Sequence, residues 1–132
     1  PMVITKRHRR HLSLAKRIAH NSDFEEYRHG AVLARGKKVI NVSANKNSYK
    51  SWGQRFRHRD QGHATHHAEL GCILGVDRSL TQGATVYVAR VSKTGVARMS
   101  KPCPMCESAM RHVGIKEVIY TVDDKEVERM KL

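Results

Sequence analysis

Two short stretches carry the side chains best suited to hold a metal ion and move a proton: HATHHAEL, residues 63–70, and KPCPMCESAM, residues 101–110. On an α-helix, residues two apart point about 200° away from each other, so His67 and Glu69 cannot share a mid-helix face. They converge only beyond a helix end, around a point just off the amino terminus where backbone N–H groups are also free. His67 is therefore expected in the first turn of a helix. Cys103 and Cys106, three apart at the start of another helix, enclose an ion in the same way. One imidazole and two thiolates make three protein ligands for zinc and keep a fourth position for water, the arrangement of a catalytic rather than a structural site. Glu69 is then free for proton transfer, and the positive ends of both helices favour the thiolates. Zinc is the expected cofactor.

The other candidates read more simply. Cys72 is expected as a small buried thiol on a core face. A redox-pair reading of C-x-x-C leaves the H-A-E segment without a use. His66 is expected in a solvated or capping role, and His63, His58 and His112 are expected on the surface. Tyr49, Trp52 and Phe56 interleave with Lys50, Arg55, Arg57 and Arg59, which suits either a surface that stacks bases and tracks phosphates or a loop anchored by its aromatics.

The elements that must position these residues follow from periodicity. Residues 11–22 fit an amphipathic helix. Residues 30–44, GAVLARGKKVINVSA, read as a hairpin turning at Arg35-Gly36-Lys37. Residues 45–62 lack periodicity and are expected as a long functional loop. A helix is expected from Thr65 to Leu74, with Leu70, Ile73 and Leu74 facing the core and Gly75 ending it. A strand follows at 84–91, then a turn at Ser92–Gly95 and an extended piece at Val96–Met99. Pro104 suits the first position of the helix that carries Cys106, Ala109, Met110 and Val113, and Gly114 its end. EVIYTV, residues 117–122, is the last clear strand. Strands alternating with helices after a hairpin imply a three-layer α/β/α domain with a mixed central sheet.

At 132 residues the chain is expected to form a single domain over 1–132. No apolar run approaches the roughly 18 residues that span a membrane, and three cysteines do not make a secreted disulfide framework. Membrane-spanning and disulfide-scaffold classes are thereby excluded, and the cytoplasm is the expected location. With 25 Lys and Arg against 12 Asp and Glu, the formal charge of +13 predicts attraction to polyanions or phosphorylated small molecules.

His67-Ala68-Glu69 followed by Pro102-Cys103-x-x-Cys106 resembles the paired motifs of the zinc-dependent cytidine and deoxycytidylate deaminase superfamily. The likeness runs from the hairpin through residues 117–122. It implies a cytidine-deaminase-like domain in which His67, Cys103 and Cys106 bind zinc and Glu69 is the general acid and base. It also implies that Asn45 contacts the sugar and the Ala68 backbone contacts the base. PCPMC and GIKEVIY are most similar to the deoxycytidylate branch, which implies conversion of dCMP to dUMP and ammonia, with the basic loops on the 5′-phosphate. Gly71, where that branch usually carries asparagine, and the SKTG turn depart from it. Deamination of cytosine in DNA or RNA, or of adenosine in tRNA, is the alternative, with the net charge steering a phosphate backbone. A zinc-stabilised nucleic-acid-binding module without catalysis would have no need of Glu69. The resemblance further implies a homo-oligomer.

Overall fold

Thr5 starts the first helix, α1 (Lys6–Ala19), five residues before the apolar spacing by itself requires. Its hydroxyl accepts from the His8 N–H at 3.2 Å, and its own N–H donates to His8 Nδ1 at 3.3 Å, so a histidine fills the reciprocal role usually taken by Glu or Gln. The face that α1 buries carries His8 and His11 as well as Leu12, Ala15 and Ala19. The computed structural model of the chain describes residues 3–24, 27–49 and 65–132.

The sheet begins with the expected hairpin, β1 (Arg28–Arg35) and β2 (Lys38–Ala44), which turns through Gly36 at φ 60°. β1 also pairs antiparallel with β5 (Thr85–Val91), and β5 pairs parallel with β7 (Glu117–Thr121), so the sheet is mixed as expected. Its order is β2-β1-β5-β7 followed by β8 (Val127–Lys131) at the edge. The two-residue β6 (Ala97–Arg98) lies beside the end of β5, where β7 does not reach. Among the elements absent from the periodicity are α3 (Arg78–Thr81), capped by Asp77, and β8, an edge strand that follows the strand read as the last.

Helices cover both faces. Val32 and Ala34 of β1, Tyr87 and Ala89 of β5 and Ile119 of β7 pack with Leu12 and Ala15 of α1. Ala31, Leu33, Val86, Val88 and Val118 point the other way, toward α2 (Ala68–Ile73) and α4 (Pro104–His112). This alternation is the period of two expected of strands buried on both faces, and it yields the three-layer α/β/α arrangement. Each fully buried side chain such as Leu33, Leu70 or Met110 contributes about 1.5–3 kcal/mol. Gly30 lets α1 lie against β1: a Cβ there would overlap the Ala15 carbonyl oxygen and stand 2.6 Å from the Ala19 nitrogen.

Two expected boundaries move. Residues 45–62 do not form one loop, because β3 (Lys46–Tyr49) occupies the beginning and pairs with β4 (Thr65–His66). That pairing takes Thr65 and His66 out of the expected helix, so α2 starts only at Ala68. Leu74 is the C-cap of α2 and 36% exposed, not a core residue. Trp52, Phe56, His58, His63 and the basic residues at 50–59 lie outside the described residues, as do the side chains of Tyr49 and His66.

Candidate metal centre and pocket

His67 is the N-cap of α2, with extended backbone at φ −72° and ψ 146°, and Cys103 is the N-cap of α4 at φ −71° and ψ 164°. Neither side chain makes the capping bond usual at that position. Pro104 holds the first position of α4 at no cost, since that residue has no helical partner for an N–H. Cys106 follows in the same first turn. The two helix starts therefore bring together the three residues that spacing singled out.

His67 Nδ1 lies 3.2 Å from Cys106 Sγ and 3.8 Å from Cys103 Sγ. All three donor atoms stand within 4.8 Å of one another. Zinc–nitrogen and zinc–sulfur bonds of about 2.0 and 2.3 Å at tetrahedral angles require N···S near 3.6 Å and S···S near 3.8 Å, so the donor set fits the ion. Cys106 and His67 both donate to the Cys103 sulfur, and this holds the Cys103 thiol at about 4 in spite of burial. As the donor to that thiolate, and through burial, Cys106 is pushed well above the ordinary thiol range. The hydrogen bond to Cys103 raises His67, outweighing the opposing effect of burial.

Beside the trio is a pocket of about 340 Å³, near the lower end of small-molecule sites. His67, Ala68, Glu69, Cys103 and Asn45 line it, joined by Phe24, Tyr27, His29 and Lys101. Glu69 is 5% exposed, and no hydrogen bond or ion pair from the described residues engages its carboxylate. The carboxylate therefore lines the pocket unengaged by the described residues, where a bound molecule would meet it. Ala68, fully buried, opens α2, so its N–H is outside the helical ladder.

Asn45, directly after β2, spends one lone pair and one N–H on the wall of the pocket. Its Oδ1 accepts from the His29 N–H at 2.9 Å and its Nδ2 donates to the Tyr27 carbonyl at 2.7 Å. Among the described residues nothing else meets the amide, which keeps one donor and one acceptor site for a ligand. Cys72 is buried as expected; its S–H donates to the Glu69 carbonyl, and burial pushes its pKa strongly upward. His112 is exposed, also as expected.

The sequence profile of the cytidine and deoxycytidylate deaminase zinc-binding region matches residues 5–122. The chain belongs to this family. Zinc is accordingly the metal that His67, Cys103 and Cys106 are arranged to hold. Curated proteins returned no match. Among solved structures, the dCMP deaminase of the cyanophage S-TIM5 in apo form superimposes with a TM-score of 0.58 at 18% identity, over 86% of this chain and 81% of that one. Acinetobacter baumannii RibD, form 2, superimposes with a TM-score of 0.55 at 20% identity over 89% of this chain. Form 1 gives 0.56 at 18%. The chain spans only 28% of the RibD length. At these identities the likeness establishes the deaminase-type fold.

Phe24, Tyr27, His29 and Lys101 were not singled out in the sequence. Lys101 sits two residues before Cys103 and could have been read from that proximity. Tyr27 and His29 reach the pocket through the Asn45 tether, for which the sequence holds no local sign. Among the described residues no helix is long and apolar enough to cross a membrane.

Proposed function

We propose that the chain deaminates a cytosine nucleotide hydrolytically, with dCMP to dUMP and ammonia as the reaction. The observation that carries this reading is the buried Glu69 carboxylate, unengaged by the described residues, lining one pocket with His67 and Cys103. Bound at His67, Cys103 and Cys106, zinc supplies a Lewis acid that lowers the pKa of water toward neutrality. Glu69 takes one proton from the attacking water and delivers it to N3 of the base as a C4–O bond forms. It then carries the second water proton to the exocyclic amine, the C4–N bond breaks, and ammonia leaves a C4 carbonyl. Asn45 contacts the sugar through its remaining donor and acceptor, and the Ala68 backbone contacts the base. Tyr27 and Phe24 supply aromatic walls for the pocket.

The formal charge of +13 favours a second reading, in which the base belongs to DNA or RNA, as cytosine or as tRNA adenosine. We further infer a cytoplasmic homo-oligomer whose subunit is one domain over residues 1–132. Ammonia release by zinc-loaded protein on deoxycytidine, dCMP, CMP and single-stranded DNA and RNA tests these readings. General acid and base catalysis contributes about 10²–10⁴-fold, so Glu69→Gln is expected to lose at least that while retaining zinc. A Glu69→Gln protein that keeps its rate on every substrate refutes the assignment.

A further inference from the structure

At one end of the sheet, basic side chains line up beside the pocket. His29 on β1 is the register partner of Arg90 on β5, and Arg90 is the register partner of Arg98 on β6. By strand alternation these residues share the sheet face of Ala31, Leu33, Val86 and Val88, the face that carries α2, α4 and the metal centre. His29 and Lys101 line the pocket directly. The Arg90 guanidinium lies over the ring of Tyr27, another lining residue, 4.4 Å from its centroid.

Ion pairs and hydrogen bonds among the described residues do not account for this row. Like charges facing each other across antiparallel strands are destabilising, yet Arg90 faces Arg98. Arg90 Nε is buried with no acceptor among the described residues, although a buried guanidinium donor ordinarily has one. No described carboxylate forms an ion pair with Arg90, Arg98 or Lys101. Asp124, packed next to β6, accepts instead from the Ala97 N–H at 2.9 Å. An anion bridging the row would satisfy Nε and relieve the repulsion together, and phosphate oxygens match the planar fork of arginine.

We propose that Arg90, with His29, Lys101 and Arg98, forms a phosphate subsite at the mouth of the pocket, Tyr27 serving as the platform that orients Arg90. This rests on the nucleotide reading of the pocket. The phosphate is either that of a mononucleotide substrate or a phosphodiester next to a base presented by a polymer.

The test is calorimetric binding at low salt to the zinc-loaded full chain carrying Glu69→Gln, so that substrate is not consumed. The ligands are deoxycytidine, dCMP and a five-nucleotide single-stranded DNA with one central cytosine. A charge-assisted pair predicts that adding Arg90→Gln weakens dCMP about ten- to a hundredfold and leaves deoxycytidine unchanged, with part of the affinity kept by Arg90→Lys. Arg98→Gln, at an exposed position, is expected to cost about two- to fivefold. Loss confined to the pentanucleotide assigns the subsite to a polymer phosphodiester. If deoxycytidine fails to bind while dCMP binding still depends on Arg90, the base pocket is wrong and the anion subsite stands. Equal binding of deoxycytidine and dCMP with an unaffected pentanucleotide, or equal weakening of all three ligands by Arg90→Gln, overturns the proposal.

Discussion

Zinc uptake should release a number of protons that reports the hydrogen bonds within the ligand trio. Coordination requires two thiolates and a neutral imidazole, so each ligand gives up whatever proton it holds beforehand. With Cys103 held at about 4, that thiol is already ionised at pH 6.0 and releases none. Cys106, raised well above 9.0, releases one full proton. His67 is raised above 6.5 and is therefore more than about three-quarters protonated at pH 6.0. The ligands together release about 1.8–2 protons. Ordinary pKa values at all three positions would give about 2.8, because Cys103 would add a whole proton. Water on zinc, with a pKa near 7, adds only about 0.1 at this pH. Calorimetric titration of chelator-stripped protein with zinc, in buffers of different ionisation enthalpy, counts these protons directly. The sign follows from the same linkage: groups that must lose protons bind the metal better as pH rises, so affinity should climb nearly a hundredfold per unit near pH 6. A count close to three would show that Cys103 is not the shared acceptor, and would refute the hydrogen-bonded arrangement inferred for the metal-free trio.

Gly30→Ala forces a Cβ against the backbone of α1 at Ala15 and Ala19, where nothing flexible can yield. Overpacking of this kind costs about 3 kcal/mol, which should lower Tm by roughly 10 °C in a thermal melt; a drop under about 2 °C would mean that α1 does not dock so closely. His8, whose pKa is lowered by burial and by Arg129 and Arg7, accepts the Thr5 N–H at Nδ1 only when neutral. Its contribution is complete above pH 6.5 and is lost as pH falls through the lower folded value, so acid should loosen α1. His8→Gln keeps an acceptor without that titration and should flatten the fall in Tm between pH 7 and pH 5; identical profiles would exclude His8 as the cause.

The metal centre was legible because its constraint is local. His67 and Glu69 can converge only at a helix start, Cys103 and Cys106 are close by their spacing of three, and the structure makes His67 and Cys103 N-caps. The start of α1 was hidden because its buried face includes His8 and His11, which read as polar in a hydrophobic pattern. In the fold His11 hydrogen bonds to the Gly36 carbonyl at 2.9 Å and packs on Tyr87 with ring centroids 4.9 Å apart. β8 was hidden for the opposite reason: V-E-R-M-K is an edge strand whose residues stay partly or fully exposed, so no apolar alternation marks it. Arg90 lay inside the strand expected at 84–91, yet its place beside the pocket depends on register with β1 and β6 and on the Tyr27 segment held by Asn45. Long-range register of that kind leaves no trace in spacing.

In the reaction proposed above, the metal ligands and Glu69 act on an amine-bearing ring, whereas the identity of the substrate is carried by what lies outside the ring. A pocket of about 340 Å³ admits a single nucleoside, so the backbone of a polymer would have to remain at the mouth with one base turned inward. Either substrate then presents its phosphate to the same edge of the sheet, and salt tells them apart. A mononucleotide neutralises one phosphate and its affinity should fall by less than about one decade per decade of salt. A strand that also tracks Arg98 and neighbouring cations contributes about 0.7 in slope for each phosphate contacted, so three contacts give a slope near −2. Titrating dCMP and the pentanucleotide from 50 to 500 mM salt therefore decides between them: two equally shallow slopes would rule out a strand lying along this edge, and the charge of +13 would then serve a single phosphate and the solubility of the chain.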